Sequence, residues 1–310
     1  MHIILLILVL LLTSYDVNAD WQKIDISSLA WLRAAYFLNS NHGFIVGSHG
    51  TLLETKDGGK TWRQRPKFTT DNILDVYFSD EKTGWLLCEK SSITLPGELN
   101  SYFLKTSDGG TTWQKIELMN ERRRFTRFFA TKSGIFVVGE AGALYFLSNN
   151  EQKRVNVPIP YRLTSGFAVN ESIFITGGNG SLLLFNQSTN TWDYPSLIEP
   201  SKNRLNAIFF INKQRGWLVG NEGKIYTTFN GGKTWYQQNS GTNKNLNDVF
   251  FKNSMEGFVV GDDGLILQTN DGGNSWFEVK GMIPHKLERI IFQGDVGFAV
   301  GFGGTILRYQ

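Results

Sequence analysis

Apolar and polar residues alternate along most of the chain in short runs broken by Gly-, Asn- and Asp-rich junctions, a period-two pattern that predicts brief, half-buried β-strands. LNDVFF at 246–251 is one such strand, matched by 73–78, 205–210 and 287–292. GFIVG at 43–47 and GTLL at 50–53 predict two more, joined by a tight turn, and the same words recur at 216–225 and 257–267. With the strand that follows, they form a unit of about 40 residues, four strands and three tight connections, the size of one propeller blade. Innermost strands begin near Leu32, Ile73, Phe125, Leu163, Leu205, Leu246 and Leu287. Seven such units predict an all-β, seven-bladed β-propeller that fills 20–310 as one domain.

The last unit stops at Gln310 without a fourth strand. WQKIDI at 21–26 repeats WQKIEL at 113–118, the strand that ends the second unit. The N-terminal strand is therefore expected to complete the last blade and close the ring, leaving no free sheet edge there.

Four near-identical octamers precede the outer strands: TKDGGKTW ending at Trp62, TSDGGTTW at Trp113, TFNGGKTW at Trp235 and TNDGGNSW at Trp276. They resemble the Asp-box, or bacterial neuraminidase repeat, and belong on the hairpin between third and fourth strands. Asp57, Asp108 and Asp271 are placed to accept N–H bonds inside the turn, and Asn230 keeps the acceptor oxygen without the charge. The paired glycines supply positive φ, and each Trp is a large apolar wedge between blades. One carboxylate per turn falls short of what calcium requires, so no metal is expected. Between Trp113 and Trp192 lie two further units whose boxes have decayed to LSNNEQKR and FNQSTNTW.

Residues 3–12 are an unbroken apolar run too short for a membrane span, followed by a polar stretch ending Val17-Asn18-Ala19. This predicts a signal peptide over 1–19 and an exported protein in a periplasm, a thylakoid lumen or the extracellular medium. With no Lys or Arg before the run, a buried first strand or an uncleaved anchor is the alternative; no Cys stands directly after it, which argues against a lipid anchor. Cys88, the one cysteine, has no disulfide partner and alternates with core residues. The formal charge of +3, or +4 once Asp16 leaves with the signal peptide, is too mild to imply nucleic acid. His42, His49 and His285 have no metal-binding spacing, there is no G-x-S-x-G elbow or phosphate loop, and no cofactor is expected.

Propeller geometry sets the boxes on one face and the connections into each inner strand on the other, where closed propellers usually carry function. The residues just before the inner strands are Trp31, Asn72, Arg124, Arg162, Arg204, Asn245 and Lys286. Arg122, Arg123 and Arg127 thicken the cationic side, and Arg289 adds to it from the last blade. These positions predict an electropositive crescent around one channel mouth, suited to carboxylates because Arg binds them through two parallel bonds. A solvated set of loop cations is the plainer alternative. On the same face residues 89–100 form an enlarged loop, either a recognition element or tolerated drift.

A sialidase would share the boxes and an arginine cluster. It would also need a Tyr–Glu nucleophile pair and an R-x-P arginine, whereas this chain has Arg65-Pro66 adjacent and on the box face. No enzyme activity is expected. The full repeat, G-[FW]-x-V-G-x-x-G-x-[IL]-x-x-T-x-D-G-G-x-T-W behind an export signal, resembles the photosystem II assembly and stability factor family of cyanobacteria and plastids. The resemblance implies a non-catalytic, chaperone-like propeller that binds an immature membrane-protein subunit on an arginine-rich face, with Arg124, Arg162 and Arg204 as counterparts. It implies a monomer that meets membranes only through its partner. The missing lipid-anchor cysteine and the two decayed boxes depart from the family pattern. A sialidase-like hydrolase and a non-catalytic glycan-binding propeller are the competing readings.

Overall fold

A computed structural model describes residues 21–91, 100–116, 121–148, 151–280 and 283–310. The expected signal peptide and the tip of the enlarged loop, 92–99, lie outside the described residues. The strands form seven separate antiparallel sheets in a ring. Their inner strands are Leu32–Phe37, Asn72–Phe78, Phe125–Ala130, Leu163–Val169, Leu205–Phe210, Leu246–Phe251 and Leu287–Gln293, here numbered blades 1 to 7. Each starts within one residue of the position predicted by the repeat.

The ring closes as the sequence implies. Strand Trp21–Lys23 pairs antiparallel with Ile306–Tyr309, Trp21 opposite Tyr309, and the Ile24 N–H donates to the Ile306 carbonyl at 2.9 Å. Both ends of the described chain are thus built into blade 7. Blade 5 holds one element that periodicity does not reveal: Ser196–Leu197 adds a fifth strand, parallel to Thr234–Gln238.

The box hairpins follow from local chemistry. In blade 1 the Thr55 hydroxyl donates to Asp57 Oδ1 (2.8 Å) and accepts from the Gly59 N–H (2.8 Å), while Asp57 accepts the Thr61 N–H (2.9 Å) and hydroxyl (2.6 Å). Thr61 holds the Asp57 carboxyl down at about 2, and Thr112 does the same for Asp108. Asn230 makes the equivalent neutral contacts with Thr228 and Thr234. Gly59 (φ +77°) admits no side chain, because a Cβ there would sit 2.2 Å from the Phe298 ring of blade 7.

That closeness lets the box Trp enter the seam between blades. Trp62 stands edge-on to Phe37 of its own inner strand and to Phe298 of the preceding blade, with centroids 5.9 and 5.8 Å away. Trp235 meets Phe210 and Phe174 in the same way. Trp21, carried by the closing strand, takes this place in blade 7 against Phe292 and Phe258.

Every inner strand also carries an irregularity between its first and third core residues, from Leu32/Ala34 to Leu287/Arg289. A bulge bends the strand and re-aims the intervening side chain. In all seven blades that second residue lines the channel: Arg33, Leu74, Thr126, Thr164, Asn206, Asn247 and Glu288.

Candidate functional site: a basic channel mouth with a closed floor

Opposite the box face, the bulged strand starts surround a cavity of about 340 Å³. Its lining brings together Arg124, Arg162, Arg204 and Lys286, each from the residue before an inner strand. Arg33, Arg127 and Arg289 join them, set against the carboxylates Glu89, Glu140 and Glu288. Among the described residues of the lining, seven cations face three carboxylates, and Arg127 and Arg289 are matched by Asp248 and Asp75 beneath them, so the positive excess lies at the rim.

The cations are not equally engaged. Arg124 lies 3.7 Å from Glu89 while its side chain is still 54% exposed. Arg204, which lines the cavity, donates Nε to Asn206 Oδ1 at 2.8 Å. Arg162 is exposed and has no carboxylate partner among the described residues. Across the mouth, Glu288 receives Arg33 (3.4 Å) and Lys286 (3.3 Å) together. Burial pulls the Arg33 guanidinium below its usual value, against the Glu288 charge that raises it.

Four uncharged polar second-position residues fix blades to one another. The Thr126 hydroxyl donates to the Leu163 carbonyl (2.9 Å), Asn206 Nδ2 to Leu246 (2.7 Å) and Asn247 Nδ2 to Leu287 (2.8 Å). Thr164 donates to Leu205 in the same register. Each bond ties one blade to the backbone of the next, directly beneath the arginines.

Arg127 and Arg289 differ from their place in the predicted crescent. Both occupy the third inner-strand position and turn into the channel, where Arg127 meets Asp248 at 3.3 Å and Arg289 meets Asp75 at 3.2 Å. The pairs reach over blades whose third residues are small, Ala34 in one case and Ser165 and Ala207 in the other. Each Asp also accepts a backbone N–H from the following blade, Phe128 for Asp75 and Ile290 for Asp248, both at 3.1 Å. Burial pushes the Asp75 carboxyl up to about 6 despite the opposing Arg127 charge, and raises Asp248 for the same reason. These four side chains form a floor. Below it, a cavity of about 250 Å³ on the box side is ringed by Tyr36, Tyr77, Phe129, Phe167, Phe209 and Phe250.

Arg122 and Arg123 stand outside the mouth lining. Arg123 is held by the buried Glu121 through Nε (2.8 Å) and Nη2 (2.7 Å), and Tyr145 donates to the same carboxylate. Arg33 is the functional candidate that position-by-position reading passed over. It sits one residue inside the strand, and only the bulge turns it toward the mouth. Cys88 is fully buried, and burial pushes its thiol up, as suits a core residue.

The family model described as Photosynthesis system II assembly factor YCF48 matches residues 13–72 and 196–282. The photosystem II assembly protein Ycf48 of Thermosynechococcus vestitus is 24% identical over 277 residues, covering 74% of this chain and 77% of the relative. The chloroplastic photosystem II stability/assembly factor HCF136 of Arabidopsis thaliana is 32% identical over 117 residues, 35% of this chain and 26% of that protein. Among solved structures, YCF48 bound to D1 peptide superposes with a TM-score of 0.77 at 24% identity, covering 95% of this chain and 96% of that one. At that identity the likeness shows the propeller fold.

Proposed function

We propose that this chain belongs to the photosystem II assembly/stability factor family and is a non-catalytic protein-binding propeller acting as an assembly factor or scaffold. The observation that carries this reading is the placing of Arg124, Arg162 and Arg204, from three consecutive blades, on the rim of one cavity with surplus positive charge. Guanidinium groups at a partly desolvated rim bind a carboxylate through paired, charge-assisted bonds. The ion-paired floor lies across the channel beneath the rim, which suits a chain end or loop better than a threaded segment.

The partner class is an immature membrane-protein subunit, met on the exported side of a membrane in a lumen or periplasm. Support comes from the relatives: one is named chloroplastic, and one solved structure holds a D1 peptide. The propeller works as a monomer and touches the membrane through its partner. No tyrosine lines the mouth among the described residues, so the nucleophile pair of a sialidase has no counterpart there.

The decisive experiment is partner capture from a periplasmic or lumenal extract by Arg124→Glu with Arg162→Glu. Capture is expected to vanish while folding stability stays within about 0.5 kcal/mol, as for exposed substitutions generally. Undiminished capture by the folded variant would overturn the reading.

A further inference from the structure

Beside the mouth, where blades 7, 1 and 2 meet, runs a second hollow of about 680 Å³. Its apolar part is a shelf made by Leu29, Trp31 and Phe302. Leu29 is 86% exposed and Phe302 49% exposed, with the Phe302 ring edge-on to Trp31 at 5.6 Å. Isolated exposed apolar residues need no explanation, but three converging in one concavity mark a contact surface.

The shelf is continuous with the mouth through one side chain. Arg33 lines both cavities, and its guanidinium carbon lies 3.6 Å from the centroid of the Trp31 ring. Among the described residues that line it, the hollow has the cations Arg33 and Lys67 and no carboxylate, so their field has the same sign as that of the mouth. Its backbone is already fixed. The Gly304 N–H donates to the Ala30 carbonyl (2.7 Å), the Trp31 N–H to Ser48 Oγ (2.9 Å), and the Ser48 N–H back to the Trp31 carbonyl (2.9 Å). A prearranged Trp–Arg pair beside a hollow has the character of an interface anchor, since little ordering cost remains at binding.

We propose that this shelf receives a large apolar side chain from the same partner segment whose carboxylate enters the mouth. The occupant is an extended acidic peptide with a Leu, Ile, Phe or similar residue a few positions from its acidic group. This rests on the mouth being a carboxylate site and adds the second determinant: charge brings the segment to the rim, and the apolar side chain selects it. Arg33, stacked on Trp31 and facing the cavity, couples the two.

The test uses short synthetic peptides in a Gly/Ser background, each with two Glu residues and a free C-terminal carboxylate, fluorescein-labelled. One Leu is moved stepwise through the sequence, and an all-polar peptide is the reference. Fluorescence anisotropy with the mature chain should find one Leu position that binds roughly tenfold tighter than the reference, the gain from burying one such side chain. In Leu29→Ser with Phe302→Ser, both at exposed positions, that ratio should fall to about one while melting stays unchanged. Equal binding of all peptides, or a Leu advantage that survives in the variant, would overturn the shelf and leave the mouth standing. Acidic-peptide binding indifferent to Arg162→Glu with Arg204→Glu would remove the mouth reading and the shelf with it. Self-association abolished by Leu29→Ser would assign the shelf to a second copy and likewise overturn the proposal.

Discussion

Blades 3 and 4 are held together differently from the other five. In blades 1, 2, 5, 6 and 7 a Trp enters the seam against a Phe at the end of the inner strand: Phe37, Phe78, Phe210, Phe251 or Phe292. Blades 3 and 4 have Ala130 and Ala168 at that place, and their box hairpins have decayed. Wedge and receiving ring have been lost as a pair. Trp192 remains in blade 4, but it lies against Phe185 of its own sheet and donates its indole N–H to the Asn156 carbonyl of blade 3. What blade 3 gains instead is the channel floor, where Arg127 is gripped by Asp248 of blade 6. Two of the three rim arginines stand on these two blades. The lesson is that a seam can hold without the wedge: blades 3 and 4 pack through the apolar clusters around Phe128 and Phe136, and these are the blades that carry most of the proposed rim.

Breaking the wedge should cost most. Trp21→Ala removes a buried ring from the closing strand and is expected to lower stability by about 3–5 kcal/mol, the usual range for emptying such a site. Urea unfolding followed by fluorescence would check it, and a loss below about 1 kcal/mol would mean that closure does not depend on the wedge. Asp75→Ala attacks the polar alternative. It strands Arg289 and the Phe128 N–H, and about 3 kcal/mol should be lost, as when one partner of a buried ion pair is removed. If this variant melts like the parent, the floor does not hold the ring.

Smaller effects sharpen the contrast. Asp57→Ala forfeits the hydrogen bonds that shape one box and should cost about 1 kcal/mol, whereas Asp57→Asn should cost much less because Asn230 already serves in that role. Stability against pH should separate the two kinds of carboxylate. Asp57 and Asp108, held at about 2, contribute stability that is present above their ordinary pKa near 4 and is lost as pH falls through about 2. Asp75, raised to about 6, has the opposite sign: its contribution is full below about 4 and is lost as pH rises through about 6. Melting curves of Asp75→Asn should therefore lack part of the parent's decline between those two values. Trp192→Ala should change stability least, by about 1 kcal/mol, because its ring is only partly buried, against Phe185 of its own sheet. A loss comparable to that of Trp21→Ala would erase the distinction between the two sets of blades.

Much of the molecule was legible in the repeat. The strand words fixed seven inner strands to within a residue, and WQKIDI at 21–26 announced the closure later found opposite Tyr309. The box residues were equally plain, since their bonds run between neighbours such as Thr55, Asp57 and Thr61. The mouth was legible in part: Arg124, Arg162, Arg204 and Lys286 share a position in the repeat and therefore a rim. Arg127 and Arg289 looked like members of that crescent and became its floor instead, while Arg33 and Glu288 entered the lining unannounced.

By itself, the sequence determined whatever depends on contacts within a blade or between adjacent repeats: strand period, turn chemistry, blade number and the strand that seals the ring. Only the tertiary structure decided which charges neutralise one another. Arg127 and Asp248 are 121 residues apart and Arg289 and Asp75 are 214 apart, so nothing local couples them. Their pairing arises because a closed ring points the third residue of every inner strand at one axis, where small neighbours leave room and burial penalises any charge left without a partner.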